Sequence, residues 1–378
     1  MKVLVIGATQ ESLSNFRGNL IRAMVSLGNE VTAMASDSAE GARSTIESLG
    51  VDFLPFPISR CGLNPVQDVK TMIALRRVYS QLQPDIVLAY TSKPVIWGGI
   101  ALRGLRNSTK FYALITGLGY AFRSRTMNQS MLNRLVTVLY RLALSRAEAV
   151  IFQNRDDLGV FSEMGIVAHR KCALVNGSGI DLESFPVAPF PEKGIEFLCI
   201  SRLIGQKGLR EYVEAAKKVK KYYPQAVFRL LGGEDPSPDG ISIAEVSMWQ
   251  RNGLIEYGGE VEDVRPYLAA CHVFVLPSFY REGLPRSILE AMATGRPILT
   301  TDNVGCRETV KKGINGFLVP VRDSELLAER MIWFIEHRDQ INVMGEMSRS
   351  MAEEHFDVHK VNKEMLHIMK INTNKSEQ

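Results

Sequence analysis

The 378 residues contain no long apolar run, no closely spaced cysteine pair and no Gly-x-Gly-x-x-Gly stretch. The first absence excludes a membrane-spanning helix, which needs about 20 consecutive apolar residues. The five cysteines, Cys61, Cys172, Cys199, Cys271 and Cys306, are scattered and odd in number. That usage reads as reduced cytosolic thiols, not as a disulfide framework or a zinc site. After the strand-like run 2–6 the chain reads Gly7-Ala8-Thr9-Gln10-Glu11. The glycine fingerprint of a dinucleotide fold is missing there, which disfavours a nicotinamide dehydrogenase. The first residues show no charged-then-apolar signal segment. His355 and His359 stand at helical spacing, but no third ligand accompanies them, and no Asp-x-Asp pair closes a strand. A reaction without metal or cofactor is the expectation.

Acids are also missing over a long stretch. None occurs between Asp85 and Glu148, where Lys93, Arg103, Arg106, Lys110, Arg123, Arg125, Arg134, Arg141 and Arg146 all fall. Trp97, Leu102, Leu105, Phe111, Phe122, Met131 and Leu132 are interleaved with them. Residues 1–180 hold 20 Lys and Arg against 12 Asp and Glu, and the remainder holds 25 against 29. A solvated basic face is the ordinary explanation of such a run. A complete lack of acids suits an anionic membrane surface or a long anionic substrate better. No nucleic-acid reading module is present, so nucleic acid is not the expected partner.

What is present is the composition of a soluble globular protein, 46% apolar and 23% charged, at a length that predicts two domains. Strand-like runs fall at 2–6, 30–34, 51–54, 85–89, 110–115 and 148–152. They resume at 195–200, 226–231, 254–257, 272–276, 297–300 and 316–319. Helical periodicity lies between them, as at 16–28, 66–82, 127–146, 208–222, 263–270, 285–294 and 323–337, and again in the tail at 353–371. Alternation of this kind predicts an α/β chain with two successive doubly wound parallel sheets. Gly177 to Pro191, with Pro186, Pro189 and Pro191, is the natural linker. Ligands of such sheets sit beyond the carboxyl ends of the strands, so the expected site is a cleft between the two domains.

The most informative stretch is Ser278-Phe279-Tyr280-Arg281-Glu282-Gly283-Leu284-Pro285-Arg286-Ser287-Ile288-Leu289-Glu290. It puts Glu282 on a loop and Glu290 within the following helix. Pro285 suits the first helical position, and Gly295 followed by Pro297 ends the helix. A helix start of this kind attracts phosphate, and carboxylates beside it accept sugar hydroxyls. Together they suggest recognition of a sugar joined to a phosphate.

Other candidate positions also fall at strand ends. Arg202 and Lys207 lie five apart in Ser-Arg-Leu-Ile-Gly-Gln-Lys-Gly, a forked and a point cation suited to a diphosphate. Gly233 lies in a Gly-Gly turn that permits close backbone approach. An ordinary tight turn accounts for that pair equally well. The turn 301–308 contains Asn303, Gly305 and Cys306, whose amides could add to anion binding. Cys306 has no neighbouring His, so a small buried thiol is the expected role. In the first half, Arg17 is expected at a helix start, in reach of a second anion. Thr116 and Gly117 end the strand at 110–115.

These residues resemble the retaining glycosyltransferases of family 4. The resemblance covers nearly the whole chain and is most specific at Glu282-x7-Glu290 with Ala291-Met292-Ala293-Thr294-Gly295-Arg296-Pro297. It implies the GT-B fold, two facing Rossmann-like domains with a C-terminal crossover helix. Residues 1–180 would bind the acceptor, 192–350 the nucleotide sugar, and the tail helix at 351–378 would pack back on the first domain. Arg202 and Lys207 match the family's diphosphate-binding pair, Glu282 the holder of donor-sugar hydroxyls, and Glu290 the holder of the ribose. Gly283, Leu284, Pro285, Asn303, Gly305, Cys306 and Gly233 would line the donor site. Asn15-Phe16-Arg17, Ser59-Arg60-Cys61-Gly62-Leu63-Asn64-Pro65, Thr116-Gly117-Leu118-Gly119 and Gly305-Cys306-Arg307-Glu308 are similar to bacterial members that extend glycans on undecaprenyl diphosphate. On that resemblance Asn15, Arg17, Arg60, Thr116 and Gly117 would face the acceptor. Many members carry a His where Thr116-Gly117 stands here. The implied partners are a UDP-sugar, a polyprenyl-diphosphate-linked glycan and the inner face of the cell membrane, held peripherally from the cytoplasm.

Two other functions fit the same fold. A nucleotide-sugar 2-epimerase would convert the donor alone and would need no lipid-facing basic region. A non-catalytic nucleotide-sugar-binding subunit would tolerate loss of Glu282 or Lys207, and both are present.

Overall fold

The structure is a computed structural model that describes residues 1–36, 42–58, 64–105, 108–118 and 127–371. The chain forms two compact units. One comprises residues 1–178 and 359–378, the other residues 179–358.

The first unit alternates β1 (Lys2–Ile6), α1 (Gln10–Ser26), β2 (Glu30–Ala35), α2 (Ala42–Glu47), β3 (Asp52–Pro55), α3 (Pro65–Leu82), β4 (Ile86–Tyr90), α4 (Ser92–Ala101), β5 (Lys110–Ile115), α5 (Met127–Leu144), β6 (Ala147–Phe152), α6 (Arg155–Glu163) and β7 (Cys172–Leu174). Its sheet runs β3-β2-β1-β4-β5-β6-β7, and every pairing is parallel. Strands buried on both faces explain the near-continuous apolar runs. Successive side chains alternate between the faces: Leu4 and Ile6 join one core, Val3 and Val5 the other. The first core takes Leu75 and Tyr79 of α3, Val95 and Ile96 of α4, and Val136 and Tyr140 of α5. The second takes Leu13, Leu20 and Met24 of α1. Helices α3, α4 and α5 therefore form one layer, and α1 covers the opposite face.

Helix α1 begins at Gln10, six residues before the sequence expectation. The Thr9 hydroxyl caps it by accepting the Ser12 amide. Arg17 therefore lies within the helix and not at its start. It is buried, with its guanidinium 5.3 Å from the centre of the Tyr90 ring.

The second unit contains β8 (Glu196–Ile200), α7 (Leu209–Lys220), β9 (Val227–Leu231), α8 (Ile243–Arg251), β10 (Glu256–Tyr257), α9 (Arg265–Ala270), β11 (Val273–Leu276), α10 (Arg286–Ala293), β12 (Ile298–Thr301), β13 (Gly316–Val319), α11 (Ser324–Glu336) and α12 (Arg338–Met351). Its parallel sheet runs β10-β9-β8-β11-β12-β13. In each sheet the order reverses beside the unit's first strand, at β1/β4 and at β8/β11. Such reversals open a crevice at the carboxyl ends.

The second unit is wider than the expected 192–350, because residues 179–191 and 351–358 belong to it. The proline-rich segment is not a free linker. Fully buried Arg296 donates to the carbonyls of Ala188 (2.8 Å), Pro189 (3.1 Å), Leu268 (2.7 Å) and Ala269 (2.9 Å), and its guanidinium lies 4.3 Å from the Phe190 ring centre. Arg349 adds bonds to the carbonyls of Phe185 and Ala293. These guanidiniums satisfy carbonyls of the irregular segment at Phe185, Ala188 and Pro189 together with last-turn carbonyls of α9 and α10, which have no partner within their helices. The last helix, α13 (Val358–Ile368), supplies Met365 and Leu366 to the core containing Val3 and Val5, so residues 359–371 pack within the first unit.

Candidate active site

Four loops at the carboxyl ends of β8, β9, β11 and β12 hold the candidate residues of the second unit. The loop after β8 turns sharply at Gly208, whose φ of 76° is favourable only without a side chain. A Cβ there would stand 2.0 Å from the Pro277 carbonyl oxygen, so glycine lets the β8 and β11 loops touch. The contact is completed by the Gln206 carbonyl, which accepts the amides of Phe279 (2.8 Å) and Tyr280 (3.0 Å). Lys207 is thereby placed against Glu282, Nζ to Oε1 at 2.7 Å, with each side chain only 12% exposed. The Ser278 hydroxyl donates to the same Oε1 at 2.9 Å. The Lys207 ammonium also lies 5.6 Å from the Tyr280 ring centre.

The β12 loop closes on this group. Gly305 has φ 79°, and a Cβ would meet the Gly283 carbonyl oxygen at 2.1 Å. Asn303 Nδ2 donates to the carbonyls of Tyr280 (2.8 Å) and Ser278 (3.3 Å), and the Thr301 hydroxyl also bonds to Ser278. Cys306 is fully buried. Burial, reinforced by the nearby Glu282 carboxylate, pushes its thiol up to about 12, so its side chain offers neither a nucleophile nor a ligand contact.

Helix α10 starts one residue later than the sequence suggests. Pro285 is its cap residue, not its first helical residue, and provides no side-chain acceptor for the first-turn amides. Gly283 and Pro285 are buried, and Leu284 packs on the core of the unit. Gly295 ends the helix with φ 80°. Glu290, one helical turn inside, pairs with Arg286 at 2.9 Å. Burial pushes its carboxyl above the usual range while Arg286 opposes the shift.

Arg202 and Lys207 hold different carboxylates. Arg202 pairs with Asp235, beyond β9, while Lys207 pairs with Glu282, beyond β11. Burial raises the Asp235 pKa, but bonds from Ser237 and the Arg202 guanidinium outweigh it and hold the group below the ordinary carboxylate range. Gly233 ties the β9 loop to the β8 loop through its carbonyl, which accepts the Leu203 amide at 2.9 Å.

The first-unit candidates are less unified. Asn15 is exposed on α1, Arg17 is buried, and Thr116 and Gly117 are half-buried beyond β5. Arg60, with the rest of 59–63, lies outside the described residues, as do Arg106, Phe122, Arg123 and Arg125. Of the apolar residues noted in the acid-free stretch, Leu102 and Phe111 are core and Met131 is exposed.

Sequence reasoning assigned no role to Ser278, Tyr280 or Arg322. The spacing Ser278-x3-Glu282 was available as a signal for the first. Arg322 follows β13 in the left-handed region (φ 63°), its guanidinium 4.5 Å from the Phe279 ring centre. Arginine carries no sequence signal for that backbone conformation.

Comparison with known proteins matches both halves of the chain. The family described as "Glycosyl transferase 4-like" matches residues 2–154, and "Glycosyl transferases group 1" matches residues 194–337. The chain is similar to the N,N'-diacetylbacillosaminyl-diphospho-undecaprenol alpha-1,3-N-acetylgalactosaminyltransferase of Campylobacter jejuni, with 27% identity over 89% of this chain and 90% of that relative. It is also similar to the UDP-Gal:alpha-D-GlcNAc-diphosphoundecaprenol alpha-1,3-galactosyltransferase of Escherichia coli, with 27% identity over 78% and 77% of the two chains. Among solved structures, HepE of Anabaena in complex with UDP and glucose superposes with a TM-score of 0.78 at 17% identity, covering 98% of this chain and 100% of the other. The sucrose-phosphate synthase of Thermosynechococcus elongatus gives 0.79 at 17% identity and 98% coverage of each. The two family matches, which together span most of the chain, and the similarity to the Campylobacter enzyme along nearly its whole length place the chain in the family-4 glycosyltransferases, and the two doubly wound units and the solved neighbours give it the GT-B fold.

Proposed function

We propose that the protein is a retaining, metal-independent glycosyltransferase. It moves a hexose or N-acetylhexosamine from a UDP-sugar to a hydroxyl of an undecaprenyl-diphosphate-linked saccharide, working peripherally on the inner face of the cell membrane. The observation that carries this reading is the Lys207–Glu282–Ser278 group, held at the β8/β11 reversal beside the start of α10. Lys207, Arg202 and the first-turn amides of α10 would receive the donor diphosphate. Glu282 would hold hydroxyls of the transferred sugar. Glu290, already poorly hydrated, would exchange part of its Arg286 pairing for the ribose hydroxyls. Gly283, Leu284, Pro285, Asn303, Gly305, the Cys306 backbone and Gly233 would shape the donor site, and Asn15, Arg17, Arg60, Thr116 and Gly117 would meet the acceptor.

In the reaction the bond from the anomeric carbon to the β-phosphate oxygen breaks, and the acceptor oxygen bonds to the same face. The acceptor proton passes to a phosphate oxygen. Charge grows on the departing diphosphate, so fixed cations and amides act where they matter, at roughly 10²–10³ in rate per donor. Glu282 is committed to an ammonium and a hydroxyl, which makes it a poor nucleophile and favours the same-face route over double displacement. Local positive groups supply the neutralisation that a metal would otherwise bring. The printed names of the Campylobacter and Escherichia relatives, both acting on diphospho-undecaprenol acceptors, support the acceptor class.

The test incubates the full chain with a panel of UDP- and GDP-sugars and an undecaprenyl-diphosphate-linked saccharide, with and without EDTA. Product mass and anomeric configuration are then read. One added sugar in the α configuration from a UDP donor, unaffected by EDTA, is expected. Conversion of the donor without acceptor would indicate the epimerase, and binding without turnover the non-catalytic subunit.

A further inference from the structure

Nine large apolar side chains are exposed among the described residues of the first unit, and seven of them lie on two helices. Met131, Leu135, Val138 and Leu142 recur at helical spacing along α5. Val66, Val69 and Ile73 do the same on α3. Each is between 42% and 67% exposed, so these are outward stripes and not the edges of core positions. The two helices belong to one layer, with α4 packed between them, and both press their other faces into the same core. Their outer faces therefore point away from the sheet on the same side.

The charges on these faces are of one sign. Helix α5 contains no acid. The single acid of α3, Asp68, is buried and paired with Lys93 at 2.9 Å. Lys70, Arg76 and Arg77 on α3 and Arg134 on α5 are exposed and make no ion pair with a described residue. Arg141 is partly committed, donating to the carbonyls of Gly165 and Met164 at the end of α6. An apolar stripe flanked only by cations is costly in water and adds nothing to the core. A second copy of the chain using the same face would bring like charges together, which disfavours a symmetric pair. An anionic bilayer answers both features, since headgroups neutralise the cations while the stripe enters the acyl boundary.

We infer that the outer faces of α3 and α5 form a lipid-docking surface that inserts Met131, Leu135, Val138 and Leu142 of α5 and Val66, Val69 and Ile73 of α3 into the interface of an anionic membrane. The inference rests on the membrane-side acceptor proposed above. It departs from simple electrostatic adsorption, because apolar insertion holds the protein when salt screens the charges.

The experiment floats the full chain with vesicles of phosphatidylglycerol and phosphatidylethanolamine, or of phosphatidylcholine alone, at low and high salt. It compares wild type with Leu135→Ser/Val138→Ser and with Arg134→Glu. Wild type should bind the anionic vesicles and retain part of that binding at high salt. The serine double variant should lose at least roughly tenfold in partition, with an unchanged melting midpoint because both positions are solvent-facing. Val138→Trp adds a fourth tryptophan to Trp97, Trp249 and Trp333; the difference between its emission and that of wild type should shift to the blue with vesicles and be quenched by brominated acyl chains. Binding by the serine variant equal to wild type, with loss only in Arg134→Glu, would overturn insertion and leave the membrane reading standing. No binding of wild type to any vesicle would overturn both. A wild-type dimer in sedimentation that the serine variant dissolves, without change in vesicle binding, would assign the face to self-association instead.

Discussion

Replacement of Lys207 by Ala tests the site most directly. Its ammonium stands 2.7 Å from Glu282, and both side chains are nearly enclosed. Removing it has two consequences that differ in size and kind. The donor diphosphate loses one fixed cation, which should lower kcat by about 10²–10³. Glu282 loses its ammonium partner and keeps the Ser278 hydroxyl. Orphaning one member of a fully buried pair costs about 3–5 kcal/mol, and the remaining access to water here reduces that to roughly 1–3 kcal/mol. The melting midpoint should therefore fall by several degrees, at roughly 2–4 °C per kcal/mol for a unit of this size. A companion variant, Lys207→Met with Glu282→Gln, removes both charges and should restore the midpoint while leaving turnover abolished. Calorimetric binding of UDP should weaken in both. The reasoning fails if Lys207→Ala retains turnover within about threefold of wild type. It fails equally if the neutral pair recovers activity together with stability, because the pair would then be only a structural tie.

Four further outcomes follow from the same geometry. Gly305→Ala places a methyl 2.1 Å from the Gly283 oxygen at φ 79°, so the β11 and β12 loops must separate; donor KM should rise at least roughly tenfold, with a stability loss of about 1–3 kcal/mol. Arg296→Ala leaves four carbonyls without their donor and opens a cavity. A loss of about 3–5 kcal/mol is expected, and proteolysis within 186–191 should accelerate. His272 accepts the Glu196 amide at 3.1 Å through Nδ1, so its Nε2–H donates to the Pro191 carbonyl at 3.1 Å. Burial lowers its pKa from 6.5; the Pro191 carbonyl opposes this, and Arg338 and Arg296 reinforce it. The unfolded chain then takes up the proton first, so this contribution to stability is complete above about pH 6.5 and is lost as pH falls through the folded value. Thermal melts of wild type and His272→Gln from pH 8 to 5 should converge toward acid. Arg322→Ala removes a cation–π contact of about 0.5–1 kcal/mol but leaves a non-glycine residue in the left-handed region. The melting midpoint should change little, while donor KM rises as Phe279 loosens.

The alternation of apolar runs made the two doubly wound α/β domains legible, and the comparisons bear out the GT-B fold that the family resemblance implied. What escaped had local physical causes. Strand β7 is three half-buried residues at a sheet edge, too short to show a period. The start of α1 was misplaced because Arg17 occupies its apolar stripe, between Leu13 and Leu20. A cation at a buried position looks like a boundary when the aromatic ring beneath it is unseen. At the candidate site, residue type and position after strands pointed to the loops beyond β8, β11 and β12, but not to their charge pairing. That pairing depends on strand order. Because β8 lies between β9 and β11, its loop has neighbours on both sides. Arg202 turns to the acid on one neighbour and Lys207 to the acid on the other. Five residues of sequence separation suggested one binding pair. The sheet divides the cations, and a diphosphate would have to draw them back together by competing with two carboxylates.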